Sequence, residues 1–132
     1  MKTKSIKQTV TFDAKPSEVY ELIMDSKKHT AFTGAKATMS SKPNGKFSTY
    51  SGYIHGFNIE LTVGVKIVQA WHFEEDGWPE DHFSTCTFEF KKEGTGTKLT
   101  FTQIDVPEHK VDALKTGWKD FYWKPMKAYL KK

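Results

Sequence analysis

The sequence predicts an α+β fold in which a seven-stranded antiparallel sheet receives one long C-terminal helix on its apolar face. The first observation is a wide aromatic stripe at helical three-to-four spacing near the C-terminus. Its members are Val111, Leu114, Trp118, Phe121, Tyr122, Met126 and Tyr129. The second observation is that residues 36–105 read as short strands of alternating polarity, so a sheet face is the apolar surface available to bury that helix.

The N-terminal region predicts one strand followed by two short helices. Apolar and polar residues alternate over residues 6–12, which is typical of a strand with one buried face. Pro16 suits the first position of a helix that runs to about Met24. Asp25 or the serine after it can cap a second helix, which ends at Gly34.

Six further strands are predicted between turn residues. Turns are indicated at Pro43-Asn44-Gly45, at Gly64 and at Gly94-Thr95-Gly96. The predicted strands cover residues 37–39, 46–50, 52–62, 66–73, 82–92 and 98–105. A polar, acidic loop around Trp78 separates the fourth and fifth of these strands, and Pro107 closes the sheet and opens the final helix.

Two residues inside the final helix predict local effects. Pro125 lacks the N–H that would bond to the carbonyl of Phe121, so we expect the helix to bend there. Gly117, beside Trp118, is expected to permit a close approach of the helix to the sheet.

The length of 132 residues suits one domain, which we assign to residues 1–132. Cys86 is the single cysteine, which excludes an internal disulfide and a cysteine-rich zinc site. The sequence lacks an apolar run as long as a signal core or a membrane span, so we expect a soluble, cytoplasmic protein.

The net charge of +4 invites a nucleic-acid partner, but the composition argues against one. All 20 basic residues are lysine, whereas phosphate clamps and base readout favour the planar guanidinium group of arginine. We therefore expect no nucleic-acid partner. Acidic residues concentrate between Lys66 and Lys91, and the segment after Pro107 is rich in lysine. A protein partner could recognise this charge asymmetry. The alternative is that both regions are simply solvated surface.

Catalytic, metal and cofactor signals are weak. The five histidines show no paired metal-ligand spacing, so no metal or cofactor is predicted. His82 follows Asp81, but a structural hydrogen bond that fixes the acidic loop explains it better than acid–base chemistry. Cys86 lies mid-strand among apolar neighbours, which indicates a buried, inert thiol.

An ordered series of motifs carries a family resemblance. The motifs are Ala31-Phe32-Thr33-Gly34, Gly45-Lys46-Phe47-Ser48, Gly52-Tyr53-Ile54-His55-Gly56, Lys66-Ile67-Val68-Gln69-Ala70-Trp71, Trp78-Pro79-Glu80-Asp81-His82-Phe83-Ser84, Gly96-Thr97-Lys98-Leu99 and Gly117-Trp118. With them, nearly the whole chain resembles the C-terminal domain of the activator of heat-shock protein 90 ATPase. That domain belongs to the START-like, or SRPBCC, superfamily of helix-grip folds.

The resemblance implies a curved sheet that wraps the C-terminal helix, often around a cavity that holds lipids, sterols, polyketides or plant hormones. In the eukaryotic co-chaperones this domain works with a separate N-terminal domain, for which this sequence leaves no room. The resemblance therefore implies a single-domain relative, and chaperone activation does not simply carry over.

Alternating aromatic residues predict the walls of such a cavity, because bulky rings are hard to pack without gaps. The candidate ligand-binding residues are Trp71, Phe73, Cys86, Phe88, Phe101, Gln103, Trp118, Tyr122 and His55. Of these, Gln103, Tyr122 and His55 could supply a polar contact. The alternative is a dry core in which all of these side chains merely pack.

Three hypotheses from different classes remain open. The first is the binding of a small hydrophobic ligand between the sheet and the C-terminal helix. The second is a co-chaperone-like or stress-response module that contacts heat-shock protein 90 through its surface. The third is an enzyme acting on a hydrophobic substrate, for which His55, His82 and Tyr122 are the candidates.

Overall fold

The computed structural model describes residues 1–131, and its elements follow the predicted order. The strands are β1 (Thr3–Phe12), β2 (Thr38–Met39), β3 (Lys46–Thr49), β4 (Ile54–Thr62), β5 (Lys66–Phe73), β6 (Ser84–Glu93) and β7 (Gly96–Pro107). The helices are α1 (Pro16–Met24), α2 (Ser26–Thr33), α3 (Val111–Trp118) and α4 (Lys124–Leu130), with 3-10 turns at Tyr50–Gly52 and Glu108–Lys110. A π-helical segment (Lys119–Trp123) joins α3 to α4, and we call the three together the C-terminal helix.

The seven strands form one antiparallel sheet in the order β1-β7-β6-β5-β4-β3-β2. The long central strands present their buried side chains to the C-terminal helix, and Phe88, Leu99 and Phe101 are fully buried there. The α+β helix-grip fold predicted from the sequence is confirmed.

Local sequence explains where the first two helices begin and end. Pro16 occupies the first turn of α1, where its missing N–H has no helical partner to lose. The Asp25 carboxylate accepts a 3.0 Å hydrogen bond from the N–H of Lys28 and so caps α2. Gly34 ends α2 with a φ of 76°, a left-handed conformation that glycine adopts without steric cost.

The C-terminal helix widens directly before Pro125. The N–H of Lys124 bonds to the carbonyl of Lys119, five residues back, which is the hydrogen bond of a π-helix. The proline then lies in the first turn of α4 rather than in the interior of an α-helix. The helix therefore absorbs Pro125 through a wide turn, a form of distortion that the sequence did not indicate.

The wide turn also changes which aromatic residues are buried. Phe121 was predicted to lie in the buried stripe, but its side chain is 59% exposed, whereas Trp123 is buried. A π segment takes more residues per turn than the 3.6 of an α-helix, so the buried line passes through Trp118, Tyr122 and Met126 at intervals of four. The α-helical period used for the prediction was therefore right for Tyr122 and Met126 and wrong for Phe121.

Candidate functional site

An apolar pocket of about 380 Å³ opens between the C-terminal helix and the β4–β5 side of the sheet. Aromatic side chains dominate its surface. The lining residues are Tyr50, Tyr53, Ile54, Trp71, Phe73, Leu114, Gly117, Trp118, Phe121 and Tyr122. The volume lies within the range of small-molecule sites in proteins, which is about 300–1,000 Å³.

Packed rings form the back wall of the pocket. The ring centroid of Trp118 lies 4.4 Å from that of Phe101, 4.7 Å from that of Tyr122 and 5.8 Å from that of Trp71. These contacts fill the centre of the helix–sheet interface, where the sequence analysis placed the cavity. The open space lies nearer the start of β4 and the end of β5, beside Ile54 and Phe73.

The mouth of the pocket is also aromatic. Tyr53 is 45% exposed and Phe121 is 59% exposed, and both line the pocket. Tyr50 has a left-handed backbone with a φ of 50°, as does Ser51 with a φ of 57°. Non-glycine residues adopt this backbone conformation at a steric cost. Backbone strain of this kind clusters at functional sites.

Gly117 widens the pocket instead of packing on the sheet. A Cβ atom at this position would meet only the Cδ2 atom of Phe121, at 4.0 Å. The expectation that Gly117 permits a close approach of helix and sheet is therefore wrong. The missing side chain leaves space at the pocket surface, between Leu114 and Phe121.

The tyrosine hydroxyl groups around the pocket already have hydrogen-bond partners. Tyr50 donates to the carbonyl of Phe121 at 2.9 Å, and Tyr53 donates to the Glu75 carboxylate at 3.2 Å. Burial raises the pKa of Tyr50 to about 12, so this hydroxyl stays protonated as a donor. The pocket thus offers shape and apolar contact more than polar recognition.

A buried polar pair lies behind the pocket. The Nδ1 atom of His29 lies 2.8 Å from the carbonyl oxygen of Ile23, and its Nε2 atom lies 3.1 Å from the hydroxyl of Tyr122. A carbonyl can only accept, so Nδ1 carries the hydrogen and Nε2 accepts from Tyr122. Burial lowers the pKa of His29 from its ordinary 6.5 to about 4, which keeps the imidazole neutral. Burial also raises the pKa of Tyr122.

The structure brings together four of the nine predicted cavity residues. Trp71, Phe73, Trp118 and Tyr122 line the pocket. Six lining residues were absent from the predicted set, and two of them, Gly117 and Phe121, directly precede the predicted members Trp118 and Tyr122 in the sequence. Those six are Tyr50, Tyr53, Ile54, Leu114, Gly117 and Phe121.

Four other predicted residues, Cys86, Phe88, Phe101 and Gln103, are buried in the core rather than on the pocket surface. Gln103 donates to the Ser84 hydroxyl at 2.9 Å and accepts from the indole Nε1 of Trp118 at 2.8 Å, so its amide is already engaged. Burial raises the pKa of the Cys86 thiol, as expected for an inert cysteine.

His55 faces away from the pocket. It pairs across the sheet with His72, and its Nε2 atom lies 2.8 Å from Oε1 of Glu74. No metal-ligand spacing is visible in the sequence because the two histidines are 17 positions apart (72 minus 55). The hairpin around Gly64 nevertheless places them side by side.

The acidic loop folds back onto the start of the C-terminal helix. Glu75 forms an ion pair with Lys110, and the His109 side chain bonds to the carbonyl of Gly77 at 2.8 Å. The His82 side chain bonds to the carbonyl of Asp105 at 2.6 Å, which agrees with the structural role predicted for it. The charge asymmetry of the sequence is thus partly neutralised within the molecule.

Comparison with known proteins decides the family. Residues 13–131 match the family described as Activator of Hsp90 ATPase homolog 1-like protein. The chain belongs to this family. Within residues 1–131, the structure has no helix with the length and apolarity needed to cross a membrane.

The curated relatives that this chain matches are longer than the chain. An activator of 90 kDa heat shock protein ATPase homolog from Dictyostelium discoideum is 33% identical over 118 residues, which are 89% of this chain and 30% of that protein. Homolog 2 from Mus musculus is 26% identical over 128 residues, which are 97% of this chain and 38% of that protein. The chain spans about a third of the length of the curated relatives it matches.

Solved structures share the fold. The crystal structure of an HSP90 activator from Plasmodium falciparum has a TM-score of 0.87 at 29% identity and covers 96% of both chains. A protein from Chromobacterium violaceum has a TM-score of 0.80 at 20% identity and covers 97% of both chains, a likeness of fold alone.

Proposed function

We propose that this member of the Hsp90 ATPase activator homolog family binds a small, uncharged, hydrophobic molecule in the pocket beside Trp118. The observation that carries the proposal is the pocket of about 380 Å³ with an aromatic lining and an aromatic mouth. Apolar concave sites of this size are where proteins hold small ligands.

The chemistry of the lining defines the class of ligand. The hydroxyls of Tyr50 and Tyr53 are engaged with protein acceptors. A ligand with a buried charge or several polar groups would lose its hydration without gaining partners, which is unfavourable. A compact hydrocarbon or aromatic molecule gains apolar burial without that penalty.

A variant that fills the pocket tests the proposal. In Gly117→Leu the added side chain projects into the pocket, whereas Thr116→Leu adds the same side chain at the neighbouring, exposed position. Native mass spectrometry of gently purified protein detects a retained ligand, and a thermal-shift screen of hydrophobic compounds measures stabilisation. A ligand that binds only the folded state at 100 times its Kd adds about 2.7 kcal/mol.

We expect wild type and Thr116→Leu to gain stability from the same compound and Gly117→Leu to gain none. Equal stabilisation of Gly117→Leu would place the binding elsewhere. A clean mass without bound ligand, together with no stabilising compound, would remove the ligand-binding proposal.

Contact with heat-shock protein 90 is a second candidate function, favoured by one observation. The Plasmodium falciparum structure described as an HSP90 activator matches 96% of both chains at 29% identity, so the likeness to it does not depend on a further domain in that structure. The exposed side of the C-terminal helix carries the lysines that could meet an acidic partner surface. They are Lys115, Lys119, Lys124 and Lys127.

Binding of purified heat-shock protein 90 at low and high salt tests this second function. Charge reversal in Lys119→Glu with Lys127→Glu should weaken a contact made by the helix, and added salt should weaken it in wild type. The matched control is Lys7→Glu with Lys98→Glu, which changes the same total charge at exposed positions of the sheet. If neither added salt nor either charge reversal changes the binding affinity, the helix is excluded as the contact surface.

A further inference from the structure

Two histidines face each other on the side of the sheet opposite the pocket. His55 of β4 pairs directly with His72 of β5, and their ring centroids are 4.9 Å apart. Side chains alternate between the two faces of a strand. Because Trp71 and Phe73 line the pocket, His72 between them must point to the other face, and His55 accompanies it.

A carboxylate completes this cluster. Oε1 of Glu74 lies 2.8 Å from Nε2 of His55 and 3.2 Å from Nε2 of His72. The three potential ligand atoms lie within 4.8 Å of one another. Two imidazole nitrogens and one carboxylate oxygen therefore converge on one point, the donor set that catalytic zinc sites use.

The hydrogen bonds of His72 favour a cation at that point. Its Nδ1 atom lies 2.8 Å from the carbonyl oxygen of His82, which can only accept, so Nδ1 carries a hydrogen. In a neutral ring the lone pair of Nε2 would then point at the Glu74 carboxylate, which is also an acceptor. His72 is only 3% exposed, so water is poorly placed to separate the two acceptors. A cation bound by both atoms resolves the mismatch.

The carbonyl that orients His72 is itself held in place. It also accepts a 2.8 Å hydrogen bond from the indole Nε1 of Trp78. The side chain of His82 is anchored to the carbonyl of Asp105 at 2.6 Å. Metal-binding histidines characteristically donate their other ring N–H to such a fixed acceptor, which sets the tautomer and the ring direction.

We propose that His55, His72 and Glu74 form a binding site for a divalent transition metal, and we assign zinc. The ligands are Nε2 of each histidine and Oε1 of Glu74, moved slightly apart to reach zinc distances of about 2.0–2.2 Å. The side chains of His55 and Glu74 are 40% and 57% exposed, so water completes the tetrahedron. Bound zinc fastens the start of the acidic loop to β4 and β5.

Zinc titration of the full chain without an affinity tag tests the site. Zn²⁺ binding is measured by competition with a chromophoric chelator, and Co²⁺ supplies the visible absorption of a tetrahedral ion. The variants are His55→Ala and Glu74→Gln, which change exposed side chains and leave the core intact. His109→Gln is the matched control, because it removes a histidine elsewhere and keeps a donor for the Gly77 carbonyl.

We expect one Zn²⁺ per chain in wild type and in His109→Gln, with affinity at least about tenfold lower in His55→Ala and in Glu74→Gln. Nitrogen-15 NMR of the imidazoles should show zinc at Nε2 of His72 with the hydrogen kept on Nδ1. Unchanged affinity in His55→Ala would overturn the proposal. Absence of zinc binding would also overturn it. A doubly protonated His72 would then show that a proton alone bridges His72 and Glu74.

Discussion

The hydroxyl of Tyr50 donates a 2.9 Å hydrogen bond to the main-chain carbonyl of Phe121. In an uninterrupted α-helix that carbonyl would accept from residue 125, but Pro125 has no N–H to donate. The side chain from the β3–β4 connection thus replaces the helical donor. It also ties the pocket mouth to the wide turn of the C-terminal helix, because Tyr50 and Phe121 both line the pocket.

Removing this hydroxyl should destabilise the fold. We expect Tyr50→Phe to lower the free energy of unfolding by about 1 kcal/mol, the net contribution of a typical hydrogen bond. Urea denaturation measures the change. Tyr53→Phe serves as the control, because its hydroxyl meets Glu75 at the surface and should contribute less than about 0.5 kcal/mol.

A double-mutant cycle tests whether the hydroxyl substitutes for the proline's missing donor. Pro125→Ala supplies an N–H that can reach the Phe121 carbonyl, so Tyr50→Phe should cost less in that background, by at least about 0.5 kcal/mol. Equal cost of Tyr50→Phe in both backgrounds would show that the two features act independently.

The buried His29 predicts a loss of stability in acid. In the unfolded chain this imidazole takes a proton near pH 6.5, whereas burial lowers its pKa to about 4 in the folded protein. The unfolded state therefore binds more protons as the pH falls from 6.5 to about 4, and the free energy of unfolding decreases over that window. Above pH 6.5 the stability contributed by the neutral, buried His29 is fully present. Below about pH 4 the total loss in the free energy of unfolding levels off at about 3 kcal/mol.

Denaturation midpoints measured from pH 7.5 to pH 4 in wild type and His29→Gln check this expectation. The variant should lose less stability across the window, because glutamine does not titrate. His109→Gln is the matched control, because it removes one imidazole from an exposed position. Parallel pH profiles in all three proteins would exclude His29 as the source.

Gly117 predicts a stabilising substitution. A Cβ atom there would meet only Phe121, at 4.0 Å, which is ordinary van der Waals contact. Since glycine in a helix interior costs up to about 1 kcal/mol relative to alanine, Gly117→Ala should raise the free energy of unfolding by about 0.5–1 kcal/mol. Urea denaturation measures it, and a destabilised variant would mean that the helix needs this glycine for packing.

Removal of the Gln103 side-chain amide, which bridges Ser84 and Trp118, should cause a large loss of stability. Gln103→Leu leaves the buried indole N–H of Trp118 without its acceptor, which should cost about 1–3 kcal/mol. Gln8→Leu is the matched control, because Gln8 accepts from Trp123 at 2.7 Å in a partly exposed position where water can replace it. Similar losses in the two variants would contradict the role of burial.

The sequence by itself determined the elements and their faces wherever a regular period held. Alternation in β5, β6 and β7 correctly placed Trp71, Phe88 and Phe101 on the buried face, because side chains of a strand alternate regardless of context. Caps such as Asp25 and Gly34 act through neighbouring backbone groups, so they too were readable from the sequence.

Only the tertiary structure decided the shape of the pocket and the grouping of the histidines. The π segment before Pro125 turned Phe121 outward and Trp123 inward, and a prediction based on 3.6 residues per turn cannot anticipate such a wide turn. His55 and His72 meet because strand register joins distant positions. Periodic burial is a local property of the chain, whereas sites form where non-local contacts choose which side chains meet.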